Sequence, residues 1–323
     1  MNSESLDAKS IRFDRGTPFS FDGRMPAQAN VILRLLERLK HGILRLDLPD
    51  GRTLQYGHQG HPVSLRLHNW NLIGAALRSG DIGFAETYID GDWETDDLPA
   101  LIELFVRNRD AIESIIYGTW WGSLLHRLRH AFNRNSRKGS RRNIHAHYDI
   151  GNDFYRLWLD PSMTYSSALF DNPNANLQEA QQAKYQRMLD ELQLPAAAKI
   201  LEIGCGWGGF AELAAHSGAH VTGLTLSTEQ LAYARRRLND ASLGEHAELL
   251  LQDYRDIAGQ FDGIASIEMF EAVGEQYWPA YFQCISRNLK ASGRACIQTI
   301  VIDDALFARY RRGTDFIQQY IFP

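Results

Sequence analysis

Cysteine is scarce in this chain: its 323 residues hold three, Cys205, Cys284 and Cys296, dispersed and without a Cys-x-x-Cys pair. That count disfavours both a disulfide framework and a structural zinc site. Long hydrophobic runs are missing as well, none approaching the roughly 20 apolar residues that cross a bilayer. Residues 1–9 are polar and acidic and do not read as a secretory signal. Nor is there an excess of positive charge. With 34 Lys and Arg against 39 Asp and Glu, the net charge is −5, which argues against a general nucleic-acid binder. What is present is the composition of a folded globular protein, 44% hydrophobic and 23% charged. The length suggests about two domains, and the expected compartment is the cytoplasm.

Residues 1–25 show no apolar period and are expected to fray. From 29 to 40, Val31, Ile32, Leu35, Leu36 and Leu39 recur at helical spacing. Residues 43–48 alternate as a half-buried strand does, Pro49-Asp50-Gly51 supplies hairpin turn chemistry, and residues 63–67 alternate again. Helical patterns cover about 70–78, 81–90 and 98–116. The segment 1–116 therefore reads as a small α+β domain with little chemistry of its own.

Residues 117–142 differ in character. Tyr117, Trp121, Leu124, Leu128 and Phe132 line one helical face, followed through Arg142 by Arg127, Arg129, Arg134, Arg137, Lys138, Arg141 and Arg142 with no acidic residue among them. Two readings stand side by side: an interdomain helix with a solvated basic linker, or a surface that docks on anionic lipid. At about 1 kcal/mol per basic residue near such a membrane, these side chains would support reversible docking and not permanent anchorage.

From residue 199 onward strand and helix alternate: strands at 199–203, 220–225, 248–251, 263–267 and 294–302, with helices at 210–216, 228–238 and 277–289. That order implies a doubly wound parallel sheet, an α/β Rossmann-like domain over residues 143–323. Gly204, Gly206 and Gly209 follow its first strand, where such sheets bind ligands and where a helix N-terminus favours an anionic group. The spacing also fits the dinucleotide fingerprint, a weak signal alone. However, the second strand ends in Leu224-Thr225-Leu226-Ser227, hydroxyls where a dinucleotide site wants an acid. S-adenosylmethionine (SAM) is therefore favoured over NAD. Glu268, Glu271 and Glu275 fall at i, i+3 and i+7, which on one helical face would set like charges together at a cost that stability alone does not explain. His145, His147 and Asp149 alternate but lack a fourth ligand, so no metal is expected.

Several motifs then coincide. Leu201-Glu202-Ile203-Gly204-Cys205-Gly206-Trp207-Gly208-Gly209, Val221-Thr222-Gly223-Leu224-Thr225-Leu226-Ser227-Thr228-Glu229-Gln230 and Met269-Phe270-Glu271-Ala272-Val273-Gly274 resemble, in order, motifs of the cyclopropane-fatty-acyl-phospholipid and mycolic acid cyclopropane synthases. His147-Tyr148-Asp149-Ile150-Gly151-Asn152-Asp153-Phe154 and Leu159-Asp160-Pro161-Ser162-Met163-Thr164-Tyr165-Ser166 resemble the family's substrate and cofactor entrance. Residues 70–110 resemble its amino-terminal domain more loosely.

The resemblance implies methyl transfer from SAM to a cis double bond of an unsaturated phospholipid acyl chain, closing a cyclopropane. It implies SAM contacts at Tyr165, Ser166, Gly204, Gly206, Thr225, Leu226, Gln230, Asp253, Tyr254 and Ile267, with Tyr148, Phe154, Tyr155, Trp158 and Phe170 as candidate pocket walls. Glu271 matches the family's acidic active-site position. The resemblance also implies a bound bicarbonate as base, held by Glu271, by a residue after the Tyr-Ser pair, by a strand-five side chain, by the Ile300 backbone and by a Tyr further downstream. Here those side chains are Ser167 in place of Cys and Gln298 in place of His. It further implies a homodimer, a place on the inner face of the membrane, and last strands and a downstream Tyr lying past Pro323, so that the fifth strand leaves an apolar edge. With those departures a methylene- or methyl-branched product is the alternative. A non-catalytic lipid-binding relative is another.

Overall fold

A computed structural model describes residues 25–116, 151–311 and 313–321. The basic segment 117–142, Tyr148 and the trio His145, His147 and Asp149 lie outside the described residues. By spatial contact the described residues form two units, one of 25–116 with 313–319, the other of 151–311 with 320–321. Residues 313–319, read above as part of the methyltransferase domain, thus group with the first unit, where the Phe316 N–H donates to the Asp81 carboxylate at 3.0 Å.

The first unit begins with α1 (Ala29–Leu36) and β1 (Gly42–Asp47), which forms an antiparallel hairpin with β2 (Thr53–Gln59) and a parallel pair with β3 (Pro62–Leu67). After α2 (Asn71–Ser79) and α3 (Asp81–Ile89), the short β4 (Trp93–Glu94) completes the sheet order β2-β1-β3-β4. Leu44, Leu46, Leu65 and Leu67 fill its inner face as the alternation requires, against Trp70, Trp93 and Leu101. The helix expected over 98–116 is interrupted, giving α4 (Leu98–Arg107) and α5 (Arg109–Ile116). The buried Asn108 is the reason. Its side chain accepts from the Lys40 and His41 N–H groups and donates to the His41 and Leu104 carbonyls, tying this position to the segment just before β1.

The second unit opens with α6 (Asn152–Arg156) and then α7 (Leu177–Leu192), whose start carries a reciprocal capping box between Asn176 and Glu179. No element was expected there, because two of the inward positions are Gln181 and Lys184 and so the apolar period is broken. The sheet follows: β5 (Lys199–Ile203), α8 (Gly209–His216), β6 (His220–Thr225), α9 (Thr228–Asp240), β7 (Ala247–Leu251), β8 (Phe261–Ile267), α10 (Trp278–Asn288) and β9 (Leu289–Gln298). All pairs are parallel in the order β7-β6-β5-β8-β9, so the order reverses direction between β5 and β8. The fifth strand starts earlier than the expected residue 294 and ends at Gln298 instead of 302; Ile300 and Val301 beyond it are exposed. Ile200, Phe210, Ala211, Val221 and Ala234 pack one face, and Leu201, Ile203, Ile264 and Tyr281 the other. Among the described residues no helix is long and apolar enough to cross a membrane.

Candidate active site

The glycine loop leaves β5 with Gly204, Gly206 and Gly208 all in the left-handed region, φ 87°, 51° and 84°. The Gly204 and Cys205 N–H groups both donate to the Leu224 carbonyl of β6, which folds the loop back over the switch point. At Gly208 a Cβ would stand 2.9 Å from Ala234 Cβ, so glycine there serves close packing on α9. At Gly206 a Cβ would meet nothing within 4 Å, so the loop presents bare backbone to open space. Under the loop lies Glu202, fully buried, with Oε2 lacking a hydrogen-bond partner. Burial pushes its carboxyl up to about 8, against the pull of Lys184 and Arg237.

The turn after β6 is closed by its own side chains. Thr225 Oγ1 lies 2.9 Å from Gln230 Oε1 and accepts from the Ser227 N–H, and Ser227 Oγ caps α9 by accepting from the Gln230 N–H. Thr225 and Gln230 are buried and Leu226 is half-buried beside them. The Asp253 carboxylate, past the end of β7, is taken by Arg255, whose Nε and Nη2 donate to it. The neighbouring Tyr254 ring stands edge-on to Tyr281 at 5.6 Å.

On the other side of the loop stands an aromatic wall. Tyr155 lies 4.9 Å from Trp207 and 5.7 Å from Tyr165 between ring centroids, and Trp158 meets Tyr165 edge-on at 5.1 Å. Trp207, inside the glycine loop, donates its indole N–H to Asn152 Oδ1 at 2.7 Å. Of the wall residues expected from sequence, Tyr155 is buried, whereas Phe154, Trp158 and Phe170 are exposed. Ser166, next to Tyr165, is held by α7: Gln181 donates to its carbonyl and Lys184 Nζ to its hydroxyl, at 2.7 and 2.5 Å. Lys184 also donates to Gln181 Oε1. Burial pushes its ammonium down to about 8, opposed by the negative charges of Glu268, Asp160 and Glu202.

The third part corrects a sequence expectation. The three glutamates do not share a helical face. Glu268 follows β8 with φ 48°, Glu271 sits in a 3₁₀ turn (Phe270–Ala272), and Glu275 lies in a second such turn after Gly274, where it pairs with Arg311 at 2.9 Å. The left-handed Glu268 and Gly274 prevent a continuous helix. Ser167 and Gln298 do come together, around Glu268 and not around Glu271. The Ser167 N–H, the Ser167 hydroxyl and the Gln298 amide all donate to Glu268 Oε1, at 2.9, 2.5 and 2.9 Å. Glu271 accepts from the Thr299 hydroxyl at 2.9 Å and from the Ile300 N–H, while partial desolvation raises its carboxyl above the usual range. Ile267 is half-buried at the end of β8, one residue before Glu268.

Sequence reasoning missed Lys184 and Gln181, which no motif carried, and gave Glu268 no partner. Only Glu202 had a signal, as a carboxylate inside an otherwise apolar strand. A further cavity of about 620 Å³, lined by residues 255–260 with Arg287 and Asn288, opens at the amino ends of β8 and β9.

Similarity to known proteins agrees with this architecture. The mycolic acid cyclopropane synthetase family profile matches residues 135–323. Tuberculostearic acid methyltransferase UfaA1 of Mycobacterium tuberculosis (strain H37Rv) is 36% identical over 306 residues, 92% of this chain and 71% of the relative. The cyclopropane-fatty-acyl-phospholipid synthase of Escherichia coli (strain K12) is 36% identical over 268 residues, 81% of this chain and 66% of the relative. The chain thus spans about two thirds of these relatives' length. Among solved structures, the cyclopropane synthase MmaA2 from Mycobacterium tuberculosis shares 31% identity with a TM-score of 0.51, and mycolic acid cyclopropane synthase CmaA1 complexed with SAH and CTAB shares 33% with 0.52. Each comparison covers 57% of this chain and 68% of the other. By profile, identity and fold, this chain belongs to the mycolic acid cyclopropane synthetase family of SAM-dependent methyltransferases.

Proposed function

We propose that the protein transfers a one-carbon unit from SAM to the cis double bond of an unsaturated phospholipid acyl chain and closes a cyclopropane ring. The observation that carries this reading is the arrangement at the carboxyl ends of β5 and β8, an open glycine loop between an aromatic wall and two glutamates. SAM suits the loop on three counts: bare backbone at Gly206, the unpaired Glu202 Oε2 beneath, and the polar turn Thr225–Gln230 beside it. SAM supplies an electrophilic methyl on a sulfonium cation. The Tyr165, Trp158 and Trp207 faces stabilise positive charge without competing as nucleophiles. Lys184 and Gln181 hold the Tyr165–Ser166 segment in place. Alkylation of an alkene leaves a carbocation, which the Glu271 carboxylate stabilises electrostatically.

The branched-chain alternative keeps the same site and differs in which carbon loses the proton. It is favoured by the relative matched over most of the chain, which is named a tuberculostearic acid methyltransferase. Fragmentation mass spectrometry of lipids from cells expressing the full-length protein separates the two. A gain of one CH₂ in a saturated ring supports cyclopropanation, the same gain with a reducible branched double bond supports the alternative, and no gain refutes both. We place the reaction on the inner face of the membrane, with the arginine-rich stretch 127–142 meeting anionic lipid.

A further inference from the structure

We propose that Glu268 is the general base of this site, built into the chain, and that no free bicarbonate takes part. The inference rests on the transfer reading above. Among the described residues, the donors that the family resemblance assigns to bicarbonate are already engaged. Ser167 gives its N–H and its hydroxyl, and Gln298 its amide, to Glu268 Oε1; Thr299 and the Ile300 N–H turn to Glu271. Among the described residues a second anion would find two carboxylates and no donor of its own, and that arrangement does not fit bicarbonate. The site already has an anion, and it is a side chain.

The backbone supports the assignment. Glu268 holds φ 48°, a conformation unfavourable for a residue other than glycine. Its own N–H donates to the Gln298 carbonyl at 2.9 Å, so β8 and β9 lock it at the switch-point crevice. Strain held in this way by surrounding structure is found at working sites. The three donors fix Oε1, and among the described residues Oε2 takes no hydrogen bond, which leaves it as the proton acceptor. Tyr165 and Lys184, on the SAM side, both lie within its electrostatic reach.

The step balances. The alkene π pair forms a C–C bond to the methyl carbon, the C–S bond breaks with its pair to sulfur, and S-adenosylhomocysteine (SAH) leaves. The carbocation then loses a proton from the new methyl to Glu268 Oε2, and the C–H pair closes the third ring bond. Glu268 later returns the proton to water.

The test uses the full-length protein, SAM and vesicles of phosphatidylglycerol with cis-monounsaturated chains, in CO₂-free buffer with or without added bicarbonate. Wild type should turn over equally in both. Glu268→Gln should lose about 100-fold or more in turnover, the scale of a missing general base, with SAH binding retained. Glu268→Gly, which suits the left-handed backbone and frees Ser167 and Gln298, should be inactive without bicarbonate and recover with it. Should Glu268→Gln fail to bind SAH, Glu268→Gly decides: rescue supports the assignment and no rescue overturns it. Bicarbonate-dependent wild type, or full turnover by Glu268→Gln, overturns this inference alone. Wild type that adds no carbon under either condition overturns the transfer reading and this inference with it.

Discussion

Replacing Glu202 by Gln should change how stability depends on pH, by an amount the structure sets. Glu202 is fully buried beneath the glycine loop and its carboxyl is raised from 4.5 to about 8 by burial. The folded state therefore holds a proton that the unfolded chain has released, and wild-type stability falls as pH rises from 4.5 towards 8. Each pH unit in that window is worth about 1.4 kcal/mol, so Glu202 alone removes about 3 kcal/mol between pH 5 and pH 7. Gln keeps the shape and carries no such slope. Lys184, lowered from 10.5 to about 8, acts in the opposite sense and in a different window, adding stability as pH rises above 8. Urea unfolding at pH 5, 6 and 7 should show Glu202→Gln gaining on wild type by about 3 kcal/mol across the series. Other groups titrate alike in both proteins and cancel in the difference. Parallel curves would refute the reasoning, because they would mean that Glu202 is either hydrated or paired in the folded protein.

Other outcomes follow from the same geometry. Gly206→Ala adds a methyl to open space while Gly208→Ala drives one onto Ala234, so the first should weaken SAH binding in calorimetry and the second should chiefly lower the thermal midpoint. Equal effects of the two on binding would argue against the open space at Gly206 being the ligand's. Glu271→Gln should lower turnover by about 100-fold, the scale of losing one electrostatic stabiliser. In wild type the acid limb of turnover should lie above the ordinary carboxylate range, since partial desolvation raises Glu271 and its charged form is the active one; Glu271→Gln should move that limb to lower pH. Charge reversal to Glu at Arg127, Arg129, Arg134 and Arg137 should abolish binding to anionic vesicles in flotation, and unchanged binding would count against the docking role.

The parallel sheet and the place of the loop were legible along the chain. The apolar run 199–203 with glycines directly after it, and the strand at 220–225 that follows, leave few other solutions for alternating strand and helix. Local chemistry also marked the hairpin at Asp50-Gly51. Tertiary structure alone decided the partners of the polar groups. Gln181 and Lys184 are polar residues on an inward face, so periodicity could not reveal α7, and their bonds to Ser166 join positions 15 and 18 residues apart. Ser167 meets Glu268 across 101 residues and Gln298 across 131. Helical spacing of the glutamates predicted one face, and the positive φ at Glu268 and Gly274 undid it. Hydrophobic period is a local property that the chain carries along its length, whereas the pairing of buried charges depends on which strand ends meet, and only the folded sheet brings those ends together.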